Sequence, residues 1–228
     1  MGGLKAGVWA LLALPLFGQS PEALLAKVDK LRHPWPAFSV EVALASEKGS
    51  QRWRVHARAN GDARVEGLSE KEKGRSVLLL GEQMWLLAAT SKRPMRISPQ
   101  QRVMGPAAGG DIARTRFGED YTVARAEPEA FEGAPATRLD LAARRPSISY
   151  RTVSLWVADD GRPLAAAFHL ASGKLAKRVR FEAPTLVQGV RLIPGMALEE
   201  PGGGKATLRF SAWAPGAPDP ALFELPGN

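Results

Sequence analysis

Three histidines, His33, His56 and His169, are the first residues to weigh as ligands or general bases. His33 precedes Pro34, His56 stands in an arginine-rich alternating stretch, and His169 follows Phe168 on a strand-like run. None stands at metal-ligand spacing. The chain has no cysteine, so thiolate metal sites, cysteine nucleophiles and disulfides are excluded. Asp159-Asp160 is an adjacent carboxylate pair at a turn and could suggest an acid pair. Neighbouring residues at a strand end point apart, and Asp160-Gly161-Arg162 reads as a hairpin turn rather than an acid–base couple. Gly202-Gly203-Gly204 lacks the lysine, hydroxyl residue and following helix of a phosphate cradle. Asp111, Glu119 and Asp120, beside a glycine-rich loop at Met104–Gly110, are the only other acids to watch. No G-x-S-x-G, P-loop or H-E-x-x-H is present. The expectation is a protein that is not an enzyme, with no metal and no cofactor.

The charge balance fits either a binding surface or a solvated arginine-rich face. Thirty-one basic against twenty-three acidic residues leave a net charge of +8. The cations are dispersed: Arg52, Arg54, Arg58 and Arg64, then Arg93, Arg96 and Arg102, then Arg144 and Arg145. Aromatics amount to only 7% and no recognition motif appears, so nucleic acid is not an expected partner. A basic exterior suits anionic membrane surfaces or acidic protein surfaces.

The elements that must carry such a surface are mostly strands. Val77–Leu80 and Met84–Ala89 are short apolar runs split by Gly81-Glu82-Gln83. They do not alternate, so both faces of this hairpin need an apolar cover. Before it, Phe38–Leu44 and Trp53–Ala59 alternate apolar with polar, as half-buried strands do, and Asn60-Gly61-Asp62 is a strong hairpin signal. After it come further runs at Tyr121–Ala126, Ala136–Leu141, Ile148–Val157, Leu164–Leu170, Leu175–Phe181, Val190–Leu198 and Ala206–Trp213. Ser20-Pro21-Glu22 starts a helix with Leu24, Val28 and Leu31 on one stripe, and His33-Pro34 ends it. Asp219–Phe223 closes with a helical turn. Ten or eleven strands in meander order, with few helices, predict a mainly β (α+β) fold. The expected form is a curled antiparallel sheet forming a half-open β-barrel covered by short helices.

Residues 1–18 read as a signal peptide: Lys5, then apolar Ala6–Phe17, then Gly18 as the cleavage point. Residues 19–228 are then one domain of an exported, periplasmic protein.

The run VLLLGEQMWLLAATSKRPMRIS, followed by MGPAAGGDIARTRFGEDYTV, resembles the outer-membrane lipoprotein-sorting protein family, LolA/LolB-like. SLWVADDGRPLAAAFHLASGKLAKRVRFE and LIPGMALEE are similar to its second half. In the family an aromatic and a proline usually follow the Met-Trp pair, where this chain has Leu87-Ala88-Ala89. The Gly-Asp motif is here followed by Ile112 in place of phenylalanine. The resemblance implies a half-barrel whose apolar cavity carries lipoprotein acyl chains or another lipid across the periplasm toward the outer membrane. It implies a lipid or lipoprotein cargo, an inner-membrane transporter and an outer-membrane acceptor as partners, and a monomer. A lipid- or lipoprotein-sensing regulatory domain of the same shape is the alternative. The cavity is expected to draw on Trp53, Val55, Leu78, Leu80, Trp85, Leu87, Trp156 and Phe168. Arg93, Arg96 and Arg102 are expected to meet a headgroup or partner.

Overall fold

The computed structural model describes residues 19–88, 93–98 and 116–226. The signal-like segment, Arg102, Met104 and Asp111 lie outside the described residues. Helix α1 (Pro21–Arg32) begins where expected: the Ser20 hydroxyl accepts from the Ala23 amide at 3.2 Å, and Pro21 fills the first turn. It stops at Arg32 because Pro34 cannot extend it. Its buried stripe is Leu24, Leu25 and Val28.

Six strands follow: β1 (Phe38–Ser46), β2 (Gly49–Ala57), β3 (Ala63–Gly67), β4 (Ser76–Leu80), β5 (Gln83–Leu87) and β6 (Met95–Ile97). A single turn of helix, α2 (Phe117–Asp120), leads into β7 (Tyr121–Pro128), β8 (Thr137–Ala143), β9 (Thr152–Val157), β10 (Pro163–His169) and β11 (Leu175–Phe181). Next come a small hairpin, β12 (Thr185–Val187) and β13 (Val190–Leu192), then β14 (Gly195–Glu199) and β15 (Lys205–Pro215). A 3-10 turn, Pro220–Phe223, closes the chain, capped by the Asp219 carboxylate on the Ala221 amide at 2.9 Å.

Among the described residues thirteen of these strands form one antiparallel sheet, in the order β6-β5-β4-β3-β2-β1-β15-β14-β11-β10-β9-β8-β7. It curls but does not close, since β6 and β7 pair on one side only. The expected half-open, mainly β architecture is therefore present. The meander order is corrected: it breaks once, where the chain leaves one free edge at β6 and re-enters at the other, β7. Turn signals report only neighbours in sequence, whereas the central pair β1·β15 joins strands far apart in the chain over eight residues of β1.

The two faces of the sheet differ. One carries the main core. Phe38, Val40, Val42 and Leu44 of β1 meet Trp53, Val55, Val65, Val77, Leu79 and Met84 on one side. On the other they meet Leu208, Met196, Val179, Phe168, Leu155 and Leu139. α1 lies on this inner face. The outer face is mostly polar, with two apolar exceptions, at β4–β5 and at β9–β1.

Candidate functional site

At β4–β5 the outer face presents Leu78, Leu80, Trp85 and Leu87, and the chain covers them itself. Phe223, Leu222 and Leu225 pack on them as a second cluster. Arg58, just past β2, and Arg64 of β3 hold the cover down. The Arg58 guanidinium lies 3.9 Å from the centre of the Phe223 ring, and Arg64 Nη1 donates to the Leu222 carbonyl at 2.9 Å. The double-sided apolar hairpin read from sequence thus has both its covers.

At β9–β1 the outer face holds a groove of about 700 Å³, in which Ala165 and Ala167 are buried and Ala197 and Ala45 are exposed. One cross-strand row makes its floor. Trp156 of β9 pairs with Ala165 of β10, then follow Arg180 of β11, Ala197 of β14, Thr207 of β15 and Ala45 of β1. Alternate strands carry alanine, so the floor is low between larger side chains. Six adjacent strands at about 4.8 Å make the row roughly 24 Å long. The β7–β8 connection forms a wall. Its turn is closed by mutual bonds between Phe131 and Ala134, and both central residues have positive φ, Glu132 at 51° and Gly133 at 82°. Glycine takes that region freely; glutamate does so at a cost of order 1 kcal/mol. An ion pair between Glu132 and Arg180 holds the turn against the sheet. Phe131 thereby reaches Trp156, with ring centres 5.6 Å apart. Trp156 Nε1 donates to Glu129 at 2.8 Å, and Arg138 donates to the same carboxylate at 3.0 Å. The indole bond, then Arg138, hold the Glu129 carboxyl below its ordinary range.

Charged groups rim the groove. Arg180 is committed to Glu132. Arg178, Glu199 and Lys205 follow one another in register on β11, β14 and β15, and with Glu47 they make no ion pair among the described residues.

The inner face is closely packed. A gap of about 30 Å³ remains under the C-terminal end of α1, lined by Val55, Phe181, Met196, Phe210 and Trp213 among others. Another of about 10 Å³ lies beside Trp53. Phe168 stacks on Phe117 at 6.3 Å and meets Tyr150 edge-on at 5.1 Å, with the buried Lys177 ammonium 4.8 Å from its ring centre. α1 is tied to α2 by the Asp29 carboxylate, which accepts from the Phe117 and Gly118 amides at 2.8 Å each. Burial raises the Asp29 pKa despite those two bonds.

The expected contacts therefore divide three ways. Trp53, Val55 and Phe168 line the inner face. Leu78, Leu80, Trp85 and Leu87 lie under the C-terminal turn, and Trp156 alone lines the groove. Arg96 is exposed on the edge strand β6, in register with Trp85, and Arg93 is exposed just before it. The groove's other members, Phe131, Ala165, Ala167, Ala197 and Ala45, were not foreseen. Outward alanines on three alternate strands are the signal that could have found them.

Glu119 and Asp120 line a polar cleft of about 160 Å³ at one end of the sheet, together with Arg116 and Arg145. Both are engaged: Arg116 donates to Glu119 at 2.9 Å and Arg145 to the buried Asp120 at 2.9 Å. The histidines stay apart. His56 lies on the outer face between Ser39 Oγ at 2.7 Å and Glu66 at 3.3 Å, and His33 caps α1. No cluster of three metal-capable side chains occurs among the described residues.

A family model described as an uncharacterized protein matches residues 67–214. None of the curated proteins matches the chain. Among solved structures, a LolA superfamily protein from Nitrosomonas europaea is 28% identical, with a TM-score of 0.81 over 90% of this chain and 98% of that one. An outer membrane lipoprotein-sorting protein domain from Vibrio parahaemolyticus is 20% identical, with a TM-score of 0.70 over 88% and 94% of the two chains, a likeness of fold.

Proposed function

The chain belongs to the LolA-like family, and on that premise we propose that it is a periplasmic carrier for lipoprotein acyl chains or another lipid. In this reading the chain enters between α1 and the inner face of the sheet, is held there by van der Waals contact, and is passed on toward the outer membrane. An inner-membrane transporter as donor and an outer-membrane acceptor complete the scheme. Export by the signal-like residues 1–18 is part of the same proposal. No helix among the described residues is long and apolar enough to cross a membrane.

The observation that carries the reading is the slightness of the cover on a large apolar face. α1 buries only Leu24, Leu25 and Val28. Three such side chains are worth roughly 1.5–3 kcal/mol each, and an acyl chain gains about 0.8 kcal/mol per buried methylene. Roughly six to eleven methylenes therefore match what α1 contributes, and a long acyl chain exceeds it. Lifting α1 also removes the Asp29 carboxylate from the two α2 amides, so the two helices move as one cover. Trp53, Val55 and Phe168 would then contact the ligand, while the exposed Arg93 and Arg96 would meet headgroup or partner. No catalytic group is needed, because the carrier only trades one apolar contact for another.

The test uses delipidated protein and palmitate brominated near its methyl end. Bromine quenches a nearby indole, so wild-type fluorescence should fall at micromolar palmitate, and Trp53→Phe should show a smaller fall. The melting temperature should rise with ligand by mass action. Absence of both quenching and thermal shift would sink the carrier reading.

A further inference from the structure

We propose that the outer-face groove at β9–β1 is a second lipid site, and that its occupant is a zwitterionic phospholipid with one acyl chain laid across the strands. This rests on the carrier reading, which it extends to a face of the sheet that reading leaves unused. Three observations select the occupant. The first is shape. The Trp156–Ala165–Arg180–Ala197–Thr207–Ala45 row is a low trough running across the strands, with the Phe131–Trp156 ring pair closing one end. Its length of roughly 24 Å over six strands is that of an extended long acyl chain.

The second is hydrogen bonding. The backbone groups of the floor are already paired within the sheet. A peptide lying across them would leave its own amides and carbonyls without partners, whereas an acyl chain has none to satisfy. A strand cannot add here either, because addition needs a free edge and these are central strands.

The third is charge. Beside the apolar row runs a polar one, in which Arg178, Glu199 and Lys205 alternate in sign across three adjacent strands, with Glu47 at the same end. Two cations and two carboxylates, none in an ion pair among the described residues although Glu199 also feels Arg180, match a headgroup that carries both a phosphate and an ammonium. A purely anionic headgroup would meet as much repulsion from Glu47 and Glu199 as attraction. Arg180 takes no part, since Glu132 holds it and its stem forms part of the trough wall.

The experiment is photolabelling of the full delipidated chain in detergent micelles. One sample receives phosphatidylethanolamine with a diazirine in its acyl chain, and the other receives phosphatidylglycerol with the same chain. Peptides carrying Phe131, Trp156 and Ala197 should be labelled roughly tenfold more by the ethanolamine lipid, a difference of about 1.4 kcal/mol. Ala197→Phe fills the trough at an exposed position and should abolish that labelling while leaving the peptide of Trp53 labelled. Ala45→Phe, at the far end of the row, serves if Ala197→Phe misfolds. Arg178→Ser with Lys205→Ser should remove the preference between headgroups. Labelling of the Trp53 peptide with none in the groove would overturn this site and leave the carrier reading standing; labelling nowhere would overturn both. Equal labelling by the two lipids would overturn the headgroup assignment. A dimer in sedimentation that Ala197→Phe dissolves, with the groove unlabelled, would give the groove to a second copy of this chain and overturn the proposal.

Discussion

The outer face of the sheet solves the same problem in two ways. At β4–β5 large apolar side chains face outward, and the chain folds its own end over them. At β9–β1 small side chains face outward: Ala165 and Ala167 are buried in the groove, and Ala197 and Ala45 are exposed in it. Leucine and tryptophan left in water are costly, so they demand a permanent cover made with the fold. Alanine exposes so little surface that the row tolerates being bare. The first region is thus architecture and the second is vacancy. The difference between them is side-chain volume at outward strand positions.

Truncating the covered region should have the largest effect. Leu78 is completely buried between the sheet and the C-terminal turn. Leu78→Ala is expected to destabilise by about 2–5 kcal/mol, the range for buried leucine, read by urea denaturation. A loss under 1 kcal/mol would mean that the turn is not docked in solution, and the contrast between the two regions would collapse.

The cover itself should come next. Phe223 is 5% exposed and lies beneath Arg58. Phe223→Ala should cost about 2–3 kcal/mol, somewhat below a central core phenylalanine, because water can reach the vacated site. The double variant with Leu78→Ala should be less destabilised than the sum by at least about 0.5 kcal/mol, since the two side chains share one contact. Strict additivity would place them in separate environments.

These two predictions also mark how far the sequence could be read. The unbroken apolar runs Val77–Leu80 and Met84–Ala89 announced that both faces were covered. Asp219-Pro220 announced a terminal helical turn. What joined the two statements, a contact between Leu78 and Phe223 across most of the chain, left no local trace. The strand order failed for the same reason: turn residues show which strands are consecutive, and the β1·β15 pair is not. The inner face was legible because period-two alternation in Phe38–Leu44 and Trp53–Ala59 assigns a side to every residue. The β4–β5 residues could not be assigned, since runs apolar on both faces carry no alternation. Of the groove only Trp156 stood out, because alanine gives hydropathy patterns almost no amplitude. Ala165 and Ala167 passed as ordinary strand residues.

Enlarging the bare region should do little to stability. Ala197→Phe places a β-favouring ring on an exposed strand position. Its change in unfolding free energy should stay within about 0.5 kcal/mol. A loss of several kcal/mol would show that the alanine row is packed against something in solution, and the groove would not be vacant.

The smallest effect is electrostatic, and it compares one carboxylate from each region. Glu66, beside the covered cluster, is held below the ordinary glutamate value of 4.5, first by its hydrogen bond with His56, with desolvation opposing. Glu129, at the end of the groove, is also held below it, first by the Trp156 indole. For both groups the folded state binds protons less tightly than the unfolded chain. Their contribution to stability is therefore complete above the ordinary value and is lost as pH falls through the folded one. Asp29 has the opposite sign. Burial raises its pKa, so its contribution is complete below the ordinary aspartate range and is lost as pH rises through the folded value. Acid denaturation would mix the three, so each carboxyl must be followed by its own NMR titration. Trp156→Phe keeps a ring in place beside Phe131 but deletes the indole donor. Glu129 should then titrate closer to 4.5, still somewhat depressed by Arg138, while Glu66 should not move, because its donor is on the other half of the sheet. An unmoved Glu129 would mean that the indole does not hold it, and the wall that separates the groove from open surface would not be fixed there.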